Sequence, residues 1–197
     1  MIFSVNKIII QSFIQRYITK PKNILTIDNF LLNNSKMFSN FLPNKKIYNI
    51  TDCNLSYQKM LEYHYECNKK IIPHYLTSDE FLKTKNTYNI NIYFFDYVKN
   101  INQKTNKEIE LKLIHNISKI LSIKHNKIIF CFTLFLENQN LINEFQIKND
   151  IKLLNIHNKI FKCVYSNNYQ ILNNFYCSND NVEPKENLFC YAIKRKL

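Results

Sequence analysis

The stretch that decides the fold runs from Tyr88 to Leu136 and reads YNINIYFFDYV (88–98), KNINQKT (99–105), NKEIELKLIHNISKILSI (106–123), KHN (124–126) and KIIFCFTLFL (127–136). Apolar residues alternate in the first piece, which predicts a strand. Thr105 and Glu108 form a capping box at the start of an amphipathic helix. The last piece is apolar on both faces, as in a strand buried within a sheet. A strand, a helix and a strand in this order predict a parallel βαβ unit, with Asn126 supplying the positive φ angle after the helix.

The segments on either side of this unit predict further elements. Residues 47–75 favour a helix with Asp52 as its cap, and Thr77 and Glu80 form a second capping box. On the C-terminal side, 159–165 and 169–177 predict an antiparallel hairpin, followed by a final strand in 188–197. We therefore expect an α+β protein of the α/β type: a mixed sheet built around the βαβ unit (88–136), with a C-terminal antiparallel hairpin and final strand, and helices mainly N-terminal.

The chain of 197 residues suits one domain with a terminal extension. Residues 1–22 contain no acidic residue and form an amphipathic, basic helix when drawn at helical spacing. This pattern is typical of a mitochondrial transit peptide, although an ordinary first helix or a membrane-surface helix also fits it. We expect a basic N-terminal extension over residues 1–45, a single globular domain over 46–197, no transmembrane segment, and a mitochondrial location with the cytoplasm as the alternative.

The chain contains no glycine. The phosphate-binding loops of P-loop and dinucleotide-binding proteins, the nucleophile elbow and the EF-hand all need glycine, so none of them is present in recognisable form. Positive φ angles should then fall mainly to asparagine. The scarcity of residues encoded by G and C also indicates an A+T-biased gene, which raises the lysine content without any functional reason.

The net charge is +12, and the only arginines are Arg16 and Arg195. A basic chain can bind nucleic acid through its phosphates. The C-terminal residues Lys194, Arg195 and Lys196 are the candidate RNA or phosphate contacts, and a solvated charged terminus is the alternative.

Residues with chemical potential do not cluster in the sequence. The six cysteines form no CxxC motif, His64 and Cys67 lack further metal ligands nearby, and the histidines form no constellation. Asp96 interrupts the apolar face of its strand near the carboxyl end, where ligand sites gather in α/β sheets, but a solvated strand end explains it equally well. We therefore predict no catalytic residue, cofactor, metal site or small-molecule ligand.

Three functions remain open from the sequence. The first is a non-catalytic structural subunit of a mitochondrial-type assembly, most readily a ribosomal or RNA-associated component with rRNA and neighbouring protein subunits as partners. The second is a protein–protein adaptor or assembly factor, in which Tyr93, Phe95 and Tyr97 supply an interface if they are exposed. The third is an enzyme whose site is not visible in the sequence.

Overall fold

A computed structural model describes residues 4–28, 32–96, 106–135, 151–179 and 186–196. Within these ranges six helices surround a seven-stranded sheet. The helices are α1 (Ser4–Tyr17), α2 (Asn33–Phe41), α3 (Asn54–Glu66), α4 (Ser78–Phe81), α5 (Asn106–Ser122) and α6 (Ile151–Ser166). The strands are β1 (Asn23–Ile27), β2 (Ile47–Thr51), β3 (Ile71–Tyr75), β4 (Ile90–Asp96), β5 (Lys127–Phe135), β6 (Tyr169–Asn179) and β7 (Glu186–Arg195).

The strand order is β3-β2-β1-β4-β5-β7-β6. Strands β1 to β5 are parallel to their neighbours, and β7 is antiparallel to both β5 and β6. We call the end of the sheet where β1 to β5 begin the amino end, and the opposite one the carboxyl end. Because β7 runs the other way, its last residues lie at the amino end, where Lys194 pairs with Lys127.

Two apolar layers hold the helices against the sheet. On one face α1 and α2 bury Phe13 and Phe38 against the sheet. On the other face α5 and α6 bury Leu113 and Ile160. Each fully buried side chain of this size contributes about 1.5–3 kcal/mol, so both layers are needed for the stability of the sheet.

The predicted mixed α/β fold is confirmed. The βαβ unit is present as β4, α5 and β5, with β4 and β5 parallel. The capping box at Thr77 is present as well, because its side chain accepts a hydrogen bond from the Glu80 N–H and the Glu80 carboxylate accepts one from the Thr77 N–H. Thr105 and the segment 97–104 lie outside the described residues.

Other local predictions were wrong. Residues 159–165 belong to α6, because Ile156, Ile160 and Val164 form a buried helical stripe. The helix predicted over 47–75 is a β2–α3–β3 unit, with Cys53 rather than Asp52 at the N-cap of α3. The C-terminal hairpin joins β6 to β7, the final strand.

The positive φ angles also differ from the prediction. In the described ranges they belong to Leu32, Lys124 and Asn168. Asn126 is not among them, because the turn after α5 reverses two residues earlier, at Lys124. Asparagine therefore supplies this conformation at one of the three positions.

The N-terminal residues are part of the sheet. Strand β1 is an interior strand, third of seven, and pairs with β2 on one side and β4 on the other. Helix α1 buries Ile10, Phe13 and Ile14. The sheet therefore includes residues on both sides of the boundary predicted at residue 45. No helix in the described ranges has the length and apolar character needed to span a bilayer.

Candidate functional site at the carboxyl end of the sheet

The strand order reverses direction between β1 and β4, since the chain builds outward from β1 to β3 and then returns to add β4 beside β1. At such a switch point the connections leave the sheet in opposite directions and open a crevice beyond the carboxyl ends of the two strands. Ligand sites of open α/β sheets lie in this crevice. Here β1 leads into Asp28, and β4 ends at Asp96.

The sheet face toward α2 changes from apolar to polar along its strands. Ile24 of β1 and Ile92 of β4 pair near the amino end and are fully buried. Two acids, Asp28 and Asp96, take the same face at the carboxyl end, together with Thr133 of β5, which pairs with Asp96. The strands therefore carry an apolar core layer and then a polar layer on one face.

Asp28 fastens the start of α2 to β1. Its carboxylate Oδ2 accepts the Ser35 N–H at 2.9 Å, and only 7% of Asp28 is exposed. The Ser35 hydroxyl in turn accepts a hydrogen bond of 2.8 Å from the Asn49 side chain of β2. A carboxylate near the N-terminus of a helix is stabilised by the unpaired N–H groups and by the helix dipole. Asp28, α2 and β2 therefore form one connected unit.

Asp96 fastens the same helix to β4 and β5. Its Oδ1 accepts the Thr133 hydroxyl at 2.7 Å, and its Oδ2 accepts the Asn34 side-chain amide at 3.3 Å. Both acids at the switch point thus hold the first turn of α2, one through Ser35 and the other through Asn34. The sequence left a ligand role or a solvated strand end open for Asp96, and the structure places it in this polar network.

Asn49 carries a buried acceptor at this site. The residue is fully buried, and its Oδ1 has no hydrogen-bond partner among the described residues. A buried polar atom without a partner costs about 1–3 kcal/mol, so such atoms are usually satisfied by a water or a ligand. This oxygen suits a donor from outside the protein.

The segment between β1 and α2 takes a left-handed turn without glycine. Leu32, the N-cap residue of α2, has φ 57° and ψ 29° and is buried. Glycine adopts this conformation without strain, whereas a residue with a Cβ pays about 1–2 kcal/mol. The backbone thus keeps a conformation typical of glycine while a leucine side chain occupies the position.

The other candidate residues lie away from this crevice. Lys194, Arg195 and Lys196 end β7 at the amino end of the sheet, opposite to Asp28 and Asp96. His64 donates from Nδ1 to the Ile71 carbonyl at 2.7 Å, and Cys67 is exposed. In the described part of the chain no group of three or more metal-ligating side chains comes together.

Sequence reasoning missed Asp28, Asn49 and Thr133. Asp28 and Asn49 lie in tracts interpreted as a polar extension and a helix, so nothing placed them at the ends of neighbouring strands. The available signal was the pair of short apolar runs ILTI (24–27) and IYNI (47–50), each followed by a polar residue.

Solved structures that are similar to this chain include several methyltransferases. The chain is similar to the Methanococcus jannaschii fibrillarin pre-rRNA processing protein, with 9% identity, a TM-score of 0.58 and coverage of 89% of this chain and 68% of that one. M. jannaschii TYW2 in complex with AdoMet gives 10% identity, a TM-score of 0.57 and coverage of 100% and 79%. The magnesium protoporphyrin IX methyltransferase of Synechocystis with bound SAM gives 6% identity, a TM-score of 0.56 and coverage of 97% and 80%.

The chain thus has a mixed α/β fold that resembles the Rossmann-like methyltransferase fold. No protein-family description and no curated protein sequence matches it.

These likenesses correct the functional prediction. The non-catalytic ribosomal subunit of a mitochondrial assembly was wrong as the leading interpretation, because the structural neighbours are enzymes of the methyltransferase fold. They favour the third possibility, an enzyme whose site is not visible in the sequence. The adaptor interpretation needed its aromatic side chains to be exposed, but Tyr93 and Phe95 are fully buried, and Tyr97 lies outside the described residues.

Proposed function

We propose that this chain is an enzyme of the methyltransferase type that binds S-adenosylmethionine at the carboxyl end of its sheet. The observation that carries the proposal is the pair of carboxylates at the switch point, Asp28 and Asp96, which both hold the first turn of α2. Three of the similar solved structures contain this cofactor. No small-molecule ligand was expected from the sequence, and the proposal replaces that expectation.

The chemistry of the site fits such a cofactor through its side chains. S-adenosylmethionine carries a sulfonium, an ammonium group and ribose hydroxyls, which are cations or hydrogen-bond donors. Carboxylates complement all of them, and each carboxylate can accept about four hydrogen bonds, so one that holds α2 can also contact a ligand. The buried Oδ1 of Asn49 is a further acceptor beside Ser35. The missing part is a glycine-lined approach of the backbone, because Leu32 stands at the left-handed position.

When bound, this cofactor supplies an electrophilic methyl group to a nucleophile on the substrate. The chain's own contribution is placement. Asp96 is fixed by Thr133 and Asn34 from two directions, and Asp28 is fixed by the Ser35 N–H, so neither carboxylate has to reorganise when a cation approaches.

Binding of labelled S-adenosylmethionine to the purified full-length chain tests the proposal. Equilibrium dialysis or calorimetry should detect binding by the unmodified protein. Replacement of one charged hydrogen-bond acceptor costs about 1.5–3 kcal/mol, so Asp96→Asn should weaken binding by about 10- to 150-fold. Glu62→Gln is the matched control, because it removes the same charge from an exposed position on α3.

A thermal melt of each variant separates loss of the site from loss of the fold. Thr133→Val serves as the second variant, because it keeps the side-chain volume and removes only the hydroxyl that orients Asp96. Absence of binding by the folded, unmodified chain at millimolar cofactor would refute the proposal. Equal binding by the Asp96→Asn and Glu62→Gln variants would remove this site from it.

A further inference from the structure

The amino end of the sheet collects positive charge from segments far apart in the sequence. Lys45 and Lys46 precede β2, and Lys69 and Lys70 precede β3. The run 194–196, which is Lys-Arg-Lys, ends the antiparallel β7 at the same end. An A+T-biased gene raises the number of lysines, but it does not place them at one end of a fold.

More cations surround a cavity between β1, β4 and β5. The cavity has a volume of about 320 Å³ and is lined by residues 18–20 and Lys22 before β1, Asn91 in β4 and residues 125–127 at the start of β5. Its three lysines are Lys20, Lys22 and Lys127. Asn91 shapes the rim, because its side chain accepts the Lys22 N–H at 2.8 Å and donates to the Lys20 carbonyl at 3.3 Å.

Acidic residues are almost absent from this end. Among the described residues, Glu66 in the last turn of α3 lies at the amino end. Asp28 and Asp79 instead follow the carboxyl ends of strands, and Asp96 is the last residue of β4. The ion pairs found in the described ranges involve Lys83, Lys119, Lys159 and His115, and none uses a lysine of the amino end. None of these ion pairs neutralises a charge at the amino end, where Lys22 Nζ donates to the Tyr88 carbonyl at 3.2 Å and Lys196 Nζ lies 4.7 Å from the centre of the Tyr165 ring.

Exposed aromatic residues occur among these lysines. Tyr65 at the end of α3 is 70% exposed, Tyr88 before β4 is 63% exposed, and Tyr165 at the end of α6 is 48% exposed. Among the exposed aliphatic side chains, Leu55 and Leu154 lie in the first turns of α3 and α6 and Leu111 lies in the second turn of α5, toward the carboxyl end, whereas Leu172 of β6 is 39% exposed nearer the amino end. Lysine with tyrosine suits a chain of phosphates and flat bases, while a bilayer surface would favour exposed aliphatic residues.

From these observations we propose that the amino end of the sheet binds single-stranded nucleic acid, with lysines on the phosphates and Tyr65, Tyr88 and Tyr165 as stacking surfaces for bases. At about 4.8 Å between neighbouring strands the seven strands span about 29 Å, which suits a strand of several nucleotides. The cavity lined by Lys20, Lys22 and Lys127 holds one phosphate of that strand. The surface is separate from the proposed cofactor site, which lies about 17 Å away at the other end of five-residue strands.

Lysines also stabilise helix C-termini, and several helices end here. A purely structural role would lower the melting temperature when the lysines are replaced and would leave no nucleic-acid binding to lose. The experiment therefore measures both quantities on every variant.

Fluorescence anisotropy of labelled 20-nucleotide oligo(U) and oligo(dT) with the full-length chain is the direct test. Single-stranded nucleic acid loses affinity with a slope of about −0.7 per neutralised phosphate in a logarithmic salt plot. Four contacts then predict a loss of about 50-fold between 50 and 200 mM KCl. Binding to either oligonucleotide supports the proposal, and the ratio of the two affinities distinguishes RNA from DNA as the source of the backbone.

Two triple variants with equal charge locate the surface. Lys22→Gln, Lys127→Gln and Arg195→Gln together should weaken binding by tenfold or more and reduce the salt slope by about 2. Lys36→Gln, Lys83→Gln and Lys159→Gln change the net charge equally, away from the amino end, and should leave the slope unchanged. Equal weakening by both triples would overturn the proposal, because net charge alone would then explain the binding.

Tyr88 tests the aromatic part. Stacking of one base is worth about 1–3 kcal/mol, so Tyr88→Leu should weaken binding by at least fivefold, whereas Tyr88→Phe keeps the ring and the affinity. Equal affinity for a duplex and a single strand would overturn the single-strand assignment. Binding to vesicles of phosphatidylcholine and phosphatidylglycerol that the amino-end triple abolishes, without any oligonucleotide binding, would replace the proposal with a membrane surface.

Discussion

Introducing one glycine at Lys124 should stabilise this protein. Lys124 ends the turn after α5 with φ 63°, and its side chain is exposed. Its N–H donates to the Leu121 carbonyl at 3.2 Å, so the left-handed conformation is fixed by the end of the helix. A residue with a Cβ pays about 1–2 kcal/mol for this conformation.

The expected gain is smaller than that strain. Glycine makes the unfolded chain more flexible, which reduces the gain in folding free energy by about 0.4–1 kcal/mol. The net effect of Lys124→Gly is therefore a stabilisation of about 0.5–1 kcal/mol. For a chain of 197 residues each kcal/mol moves the melting temperature by about 2–4 °C, so we expect a rise of about 1–4 °C.

Urea denaturation followed by far-ultraviolet circular dichroism, with a thermal melt, measures this change. Lys124→Ala is the matched control, because it removes the charged chain and keeps the Cβ, and it should bring no gain. Leu32→Gly should have the opposite effect. It relieves the strain of the same left-handed conformation, but it also removes a leucine side chain that is only 1% exposed, which costs about 2–5 kcal/mol. If Lys124→Gly is no more stable than Lys124→Ala, the strain argument fails.

Three further predictions concern stability and reactivity. Deletion of residues 1–17 removes α1 with its buried Ile10, Phe13 and Ile14, which loses about 5–9 kcal/mol of stability. The truncated chain should therefore be unfolded when measured by circular dichroism, and a folded, soluble truncation would show that α1 is dispensable. Burial lowers the pKa of His74, His125 and His157. These histidines are therefore neutral in the folded protein, and the unfolded chain binds protons more readily. The folded protein has its full stability above pH 7 and loses stability as the pH drops below about 6.5, because the unfolded chain then takes up these protons. The urea midpoint should therefore be lower at pH 5.5 than at pH 7.5, and equal midpoints would contradict this. Iodoacetamide should modify the exposed Cys53 and Cys67 in the folded protein, whereas the buried Cys131, Cys163 and Cys190 should react only in urea. Mass spectrometry that finds the buried thiols modified without urea would refute the described core.

The sequence predicted the elements whose pattern is long and uninterrupted. The helix α5 and the strand β5 carry enough apolar residues at one spacing to identify them in spite of the composition. The strands β1, β2 and β3 have five residues each, and the Asn-rich surroundings hide so short a pattern. Pro73 also led to the wrong prediction of a helix over 47–75, because a proline argues against a strand. Here β3 is an outer strand of the sheet, where proline is tolerated.

The candidate site could not be assembled from the sequence. Asp28 and Asp96 are 68 positions apart, and only the pairing of β1 with β4 brings them to one crevice. Asp96 could be singled out, because it follows a clear strand. The absence of glycine then argued against any nucleotide-type site. That argument rules out the usual motif, but it does not rule out the backbone turn, which the chain makes with Leu32.

The charged surface at the amino end was visible only in part. Lys194, Arg195 and Lys196 could be named because they are contiguous. The lysines before β1, β2 and β3 could not be assigned to the same place until the parallel direction of these strands was known. Burial of Tyr93 and exposure of Tyr88 likewise depend on the packing of α4 and α5 over the sheet, which no local pattern reveals.

The two outermost strands also bear on how the protein behaves in concentrated solution. An uncovered outer strand can recruit a strand of another copy and start aggregation. Here β3 contains Pro73, which has no N–H to offer. At the opposite edge, β6 shifts its register between Ile171 and Asn173. This bulge disturbs the backbone hydrogen-bonding groups that a strand from another copy would pair with. Both features work against the addition of a further strand at the edges of the described sheet.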